Sequence, residues 1–222
     1  MRAEKAMSLL RLCYYNLKSL KLLYFVPIVA IFLLLPFLSI GHLLAYGIND
    51  SAFEQIFIEM QRYIPFMATW WVVFGLREYA EGDGRELLRV YKNSLLGDFF
   101  LIFFWYILHT AVLIFLYALF FESFWMDFLL FFIQSLVYAG STFFLMLLCR
   151  TIAIPFLINV FYEIFCIYSN VEALKLINML SVGRIERLEM LLLPYLPLIA
   201  FALILIFAGN WIYKKRFSLK SS

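Results

Sequence analysis

The sequence predicts an all-α polytopic membrane protein, with six transmembrane helices preceded by an N-terminal interfacial helix. Three observations carry this. Hydrophobic residues make up 65% of the 222 residues, with a mean hydropathy of +0.92, whereas a soluble chain runs at roughly 45–50% apolar. Charged residues are only 15%, against a typical ~25%, and they gather between long apolar runs. Those runs approach the roughly 20 residues that a helix needs to cross the hydrocarbon core of a bilayer.

Residues 1–21 read as an amphipathic helix. Ala6, Leu9, Leu10, Cys13, Tyr14, Leu17 and Leu20 recur at helical spacing, and Arg2, Lys5, Arg11, Lys18 and Lys21 fill the other side. Such a helix lies in the membrane interface and draws on anionic lipid. The simpler alternative is a positively charged flank of the first span. That span is 22–46, with Pro27 and Pro36 as candidate kinks. It is too long for the apolar core of a secretory signal and lacks a small-residue cleavage site, so it is expected to remain as an anchor. Residues 47–49 stop it. Ser51, followed three residues later by Glu54, has the form of a capping box. The next helix is therefore expected to start at Ser51, outside the membrane, and to feed a short second span at about 63–76.

The longest polar stretch follows, 77–97. The third span is 98–119, ended by an exposed turn at Glu122 and Asp127. The fourth is 128–149, and Arg150 marks a tight turn into the fifth, 152–168. A second polar stretch, 169–190, leads to the sixth span, 191–213, and a basic tail, 214–222, opens with Lys214, Lys215 and Arg216. The spans form one transmembrane domain, 22–213.

Orientation follows from Lys and Arg in short loops. With the N-terminus inside, fourteen of the 18 basic residues collect on the inner side, and only Arg62, Lys175, Arg184 and Arg187 fall outside. Both termini are then cytoplasmic, in a multi-pass protein of the cell membrane. The even count favours six spans over five or seven. Trp70, Trp71, Trp125 and Trp211 fall near span ends, where interfacial belts place tryptophan.

The net charge of +3 flanks apolar segments, which makes it a topology signal and argues against a nucleic-acid partner. Cys13, Cys149 and Cys166 have no CxxC spacing and no paired histidines, so neither a disulfide framework nor a zinc site is expected. His42 and His109 lie in different spans and form no HExxH motif. Ser39, Ser135 and Ser141 lack a nucleophile elbow. No Walker A sequence is present, so this chain is not expected to bind ATP or to be an enzyme. Glu163 is the one ionisable residue well inside an expected span, and Asn159 sits one turn earlier on the same face. A carboxylate there costs roughly 2.5 kcal/mol or more on insertion scales, so it should face a bundle interior, a subunit interface or a cavity. A pathway residue and an interhelical structural contact both remain open.

The loop 77–97 carries the most information. Gly82, Asp83 and Gly84 break the helix descending from the second span. Asp83 and Glu86 make another capping-box spacing, so a short helix should run through Glu86, Leu87, Leu88, Arg89, Val90 and Tyr91. Held crosswise at the cytoplasmic face, such a helix can lay its apolar side into a groove on another protein. A solvated connection is the plainer reading.

At this loop the chain resembles the permease subunit of ABC transporters of the type-2 exporter class. Members have six spans and an amphipathic helix before the first. After the second they carry a Glu-rich, Gly-containing stretch, then Glu-Leu-Leu and a small polar cluster. Glu78, Glu81, Gly84, Glu86, Leu87, Leu88, Asn93 and Ser94 correspond here. Gly84-Arg85 replaces the family's Gly-Thr, and Tyr91 or Lys92 stands where a proline is common. The resemblance implies that Glu78, Glu81, Asp83, Gly84, Arg85, Glu86, Leu87 and Leu88 couple to a separate ABC ATPase subunit, which would hold ATP and Mg. It implies a second permease copy, identical or different, completing an export pathway. It also implies that 169–190 is a re-entrant hairpin in the outer leaflet, with Ser169 and Glu172 starting its first helix. A non-transporting assembly or regulatory membrane protein is the alternative, and an intramembrane enzyme a more remote one.

Overall fold

The computed structural model describes residues 20–82, 94–120, 125–169, 178–180 and 188–218, together with positions 15, 18, 88 and 92. The regular structure among them is helical. Most of the N-terminal amphipathic segment, most of 169–190 and the last residues of the tail lie outside the described residues.

Helix α1 covers 22–46 in three pieces, α-helical Leu22–Val29, π-helical Ala30–Leu34 and α-helical Leu35–Tyr46. Pro36 has no N–H to offer a carbonyl one turn back. Just before it, the Leu35 N–H reaches the Ala30 carbonyl five residues back, which widens the helix into a π turn. The two prolines thus bracket a local change of pitch. Gly47 ends α1 at φ 78, with its N–H on the Leu43 carbonyl at 2.9 Å. This left-handed stop suits a residue with no Cβ.

Helix α2 is Asp50–Gly75. Its N-cap is Asn49, whose Oδ1 accepts from the Ala52 N–H at 2.9 Å. This corrects the expected Ser51 cap. Asn49 follows the Gly47 break in extended backbone, so it meets the first free N–H groups before Ser51 does, and Asp50 then occupies the first turn, where the helix dipole favours a carboxylate. The helix runs unbroken through Pro65. Leu76 interrupts it at φ −110 and ψ 7, and a short α3, Arg77–Ala80, follows.

The remaining helices are α4, Leu96–Phe120, α5, Trp125–Cys149, α6, Ala153–Tyr168, and α7, Leu188–Ser218. Helix α7 extends past the expected sixth span at both ends and carries Lys214 and Lys215 on its last turns. Arg150, at φ 57, makes the tight turn between α5 and α6.

Among the described residues, four stretches are long and apolar enough to cross a membrane, Lys21–Tyr46, Leu96–Phe120, Met126–Cys149 and Tyr195–Lys215. Helix α2, with 26 residues, is about 39 Å long, but Glu54, Glu59, Gln61 and Arg62 dilute its apolarity. Helix α6 is apolar with 16 residues, about 24 Å against a hydrocarbon core of ~30 Å.

Helix α5 is the centre of the bundle, with 67% of its most apolar stretch buried against 28% for those of α1 and α7. It packs on α2, α4, α6 and α7, burying Phe131, Tyr138, Ala139, Phe143 and Met146. Its approach to α7 is close because both helices offer glycine. A Cβ on Gly140 would lie 3.1 Å from the Ala202 carbonyl oxygen, and one on Gly209 would lie 3.1 Å from Phe144 Cα. Small residues serve helix contacts in lipid this way, since apolar side chains gain little by leaving lipid tails. The outer surface is correspondingly apolar. Leu22, Leu44, Phe37 and Phe161 are exposed at 84%, 83%, 71% and 66%, a surface suited to lipid and not to water.

Candidate functional site

Side-chain contacts bring six chain segments to one end of the bundle. Trp70 and Trp71, near the end of α2, donate their indole N–H groups to the Leu23 and Tyr24 carbonyls at the start of α1, at 2.9 and 3.1 Å. Tyr24 also stacks on Trp71. Glu81, just past α3, accepts from Thr151 Oγ1 and from the Ile152 N–H, both at 2.7 Å, so it ties the loop to the end of α5 and the start of α6. Asn210 of α7 accepts through Oδ1 from Ser94 Oγ at 3.0 Å and from the Leu95 N–H at 3.1 Å. The Leu95 amide is one of the unpaired donors at a helix start, and α7 supplies its acceptor. Lys92 pairs with Asp98 in the first turn of α4 and lies 5.7 Å from the Tyr79 ring. The buried Asp98 carboxylate requires such a counter-charge.

These contacts frame an elbow between α2 and α4. Of the residues expected to couple, Glu78 and Glu81 lie at its α2 side. Gly82 closes against Glu78, since a Cβ there would sit 2.6 Å from the Glu78 carbonyl oxygen. Leu88 is partly buried against the core. Asp83, Gly84, Arg85, Glu86 and Leu87 lie outside the described residues, as does the capping box of Asp83 and Glu86.

A second polar constellation lies inside the bundle, between α2, α5 and α6. Asn159 donates through Nδ2 to Thr142 Oγ1 at 2.6 Å and to Thr69 Oγ1 at 3.3 Å, and accepts at Oδ1 from Ser141 Oγ at 3.2 Å. Thr142 also donates to the Tyr138 carbonyl at 2.6 Å. One turn on, Glu163 Oε2 accepts from the Tyr138 hydroxyl, while Glu163 Oε1 is buried with no hydrogen-bond partner among the described residues. Both residues singled out on α6 therefore face α5, and together they tie three helices.

Towards the opposite end, Gln61 of α2 and Gln134 of α5 both donate to the Met179 carbonyl, at 3.2 and 2.7 Å. Gln61 is eleven residues into α2, so Met179 sits roughly 16 Å below the start of that helix. Asn178 beside it donates to the Cys166 carbonyl at 2.8 Å and accepts from the Leu180 N–H at 2.9 Å. The described part of 169–190 thus enters the bundle.

Sequence reasoning singled out neither Asn210, Asp98, Tyr138 nor the two glutamines. For Tyr138, Gln134 and Asn210 a polar residue among mostly apolar neighbours was the available signal, whereas Gln61 lies in an already polar stretch with Glu59 and Arg62. The histidines have ordinary surroundings. His109 bonds the Trp105 carbonyl one turn earlier at 2.8 Å and sits against Trp71, Trp105 and Phe32, and His42 stacks on Tyr46. Among the described residues no three His, Cys, Asp or Glu side chains gather as a metal site would require.

Among the described residues, fold and site together define a helical bundle with a lipid-compatible exterior, four helices able to cross a membrane, an anchored polar elbow at one end and a polar layer inside. No family model, curated protein or solved structure matches the chain.

Proposed function

We propose that this chain is the membrane-spanning permease subunit of an ATP-driven ABC exporter, working as a dimer with a separate ATPase subunit. In this reading α2 and α6 complete six crossings with the four apolar helices, and both termini and the elbow face the cytoplasm. The observation that carries it is the anchoring of the elbow. Glu81 grips the start of α6, Lys92 and Asp98 hold the start of α4, and Asn210 fixes that start to α7. A force applied by a partner between residues 82 and 92 is thereby passed to three membrane helices. Rigid attachment of this kind is what a two-state transport cycle needs, because packed interfaces switch between arrangements and do not yield gradually.

The test is copurification of the full chain with an ATPase bearing a Walker A motif, followed by hydrolysis measurements on the reconstituted pair. Leu88→Ala and Glu86→Ala should uncouple hydrolysis from the permease while the complex remains assembled. Hydrolysis indifferent to both substitutions, or a complex with no ATPase, removes the exporter reading and leaves an assembly or regulatory role.

A further inference from the structure

A cleft of about 670 Å³ opens between α1, the start of α2 and the last turns of α4. That volume falls in the range of small-molecule sites, roughly 300–1,000 Å³. The π turn and Pro36 shape one wall, through Phe32, Pro36 and Leu43, and Leu113 and Leu116 of α4 form the other. Among the described residues no charged side chain lines it. The two polar side chains on the wall engage one another. Ser39 Oγ donates to the Leu35 carbonyl at 2.8 Å, so its 2.7 Å contact with the Tyr117 hydroxyl has Tyr117 as donor.

A water molecule needs two to four polar partners to settle in a cavity, and this wall has its hydroxyls committed. Asn49 and Asp50, just beyond Ile48, lie at one end of the cleft, and among the described residues its flanks are apolar. They run into Ile40, Leu44 and Leu119, exposed at 57%, 83% and 64%. What enters must be hydrocarbon arriving sideways through the bilayer. A convex helix face touches a lipid chain on one side only, whereas this cleft touches it on several, and the added dispersion contacts lengthen its stay.

We propose that the cleft binds one acyl chain of a bilayer phospholipid. The headgroup sits level with Asn49 and Asp50, just beyond Ile48, and the chain end reaches towards Phe32. The site does not depend on the ATPase reading and stands or falls separately from it.

The test uses the full chain in phosphatidylcholine nanodiscs. These are doped with a phosphatidylcholine that carries a diazirine near the end of one acyl chain. After irradiation, adducts are mapped by peptide mass spectrometry. Yield per residue at Phe32, Leu113 and Tyr117 should exceed that at Phe161 and Ile204, on open faces of α6 and α7, by at least about fivefold. Leu116→Trp fills the mouth from a residue already 43% exposed, so it leaves the core intact and should lower the cleft yield to that of the open faces. Leu43→Trp should do the same from the α1 side, and Leu157→Trp, on the exposed face of α6, should change nothing. Adducts spread evenly over all lipid-facing surfaces would mean ordinary surrounding lipid only and overturn the proposal, as would a cleft yield unmoved by both filling variants.

Discussion

Asn210→Leu removes the acceptor that joins α7 to the start of α4, and its cost follows from two donors. The Leu95 N–H is buried, on a residue with 0% exposure, and loses its bond to Asn210 Oδ1. An unpaired buried donor costs about 1–3 kcal/mol. Ser94 Oγ, part-buried, loses its 3.0 Å bond as well, but a hydroxyl rotates to other partners and adds about 0.5 kcal/mol. Leucine keeps asparagine's branching at Cγ and is the larger side chain, so no cavity enters the sum. The total is about 2–3 kcal/mol, or an apparent Tm lowered by about 5–10 °C for a chain of this length. Circular dichroism of the detergent-solubilised protein reads it. The pairing is specific, so Ser94→Ala should cost less than about 1 kcal/mol alone and add almost nothing to Asn210→Leu. An apparent Tm within about 2 °C of wild type, or a full Ser94→Ala cost in the Asn210→Leu background, would refute the reasoning.

Three further outcomes follow from the same geometry. Tyr138→Phe strips Glu163 Oε2 of its donor and should cost about 1–3 kcal/mol, whereas adding Glu163→Leu should recover most of it, because an apolar pair leaves nothing unsatisfied; a double-mutant cycle in thermal unfolding checks this. Gly140→Leu should cost more than about 2 kcal/mol by overpacking α5 on α7. Gly41→Leu, where a Cβ would meet nothing within 4 Å, should be near neutral, and equal Tm shifts for the two would contradict the close approach. Glu81→Ala should raise hydrogen exchange at the Ile152 amide by about tenfold while leaving the centre of α5 protected, and unchanged exchange at Ile152 would show that Glu81 does not hold the turn.

Hydropathy made α1, α4, α5 and α7 legible to within a few residues, because a long apolar run has one outcome in lipid. The start of α2 was misplaced because two capping arrangements competed within three residues, and the backbone stop at Gly47 decided for Asn49. The π turn of α1 was hidden, since α and π spacing look alike in a uniformly apolar run and only Pro36 hinted at it. Glu163 and Asn159 stood out by polarity and spacing. Their partners did not, because Tyr138, Thr142 and Thr69 lie on other helices and pairing between helices leaves no local pattern. Asn210 escaped notice for the same reason. It looks like one polar residue near a span end until α4 is placed beside it.

The proposed exporter places the elbow and both chain ends on one side of a membrane crossed six times. Single cysteines at Glu86, Arg2 and Lys220, in a chain with Cys13, Cys149 and Cys166 replaced by serine, should all react with a membrane-impermeant maleimide only when the cytoplasmic face is opened. Cysteines at Asn49 and Glu122 should react from outside in intact cells. Labelling of position 86 from the side opposite to positions 2 and 220 would contradict the account.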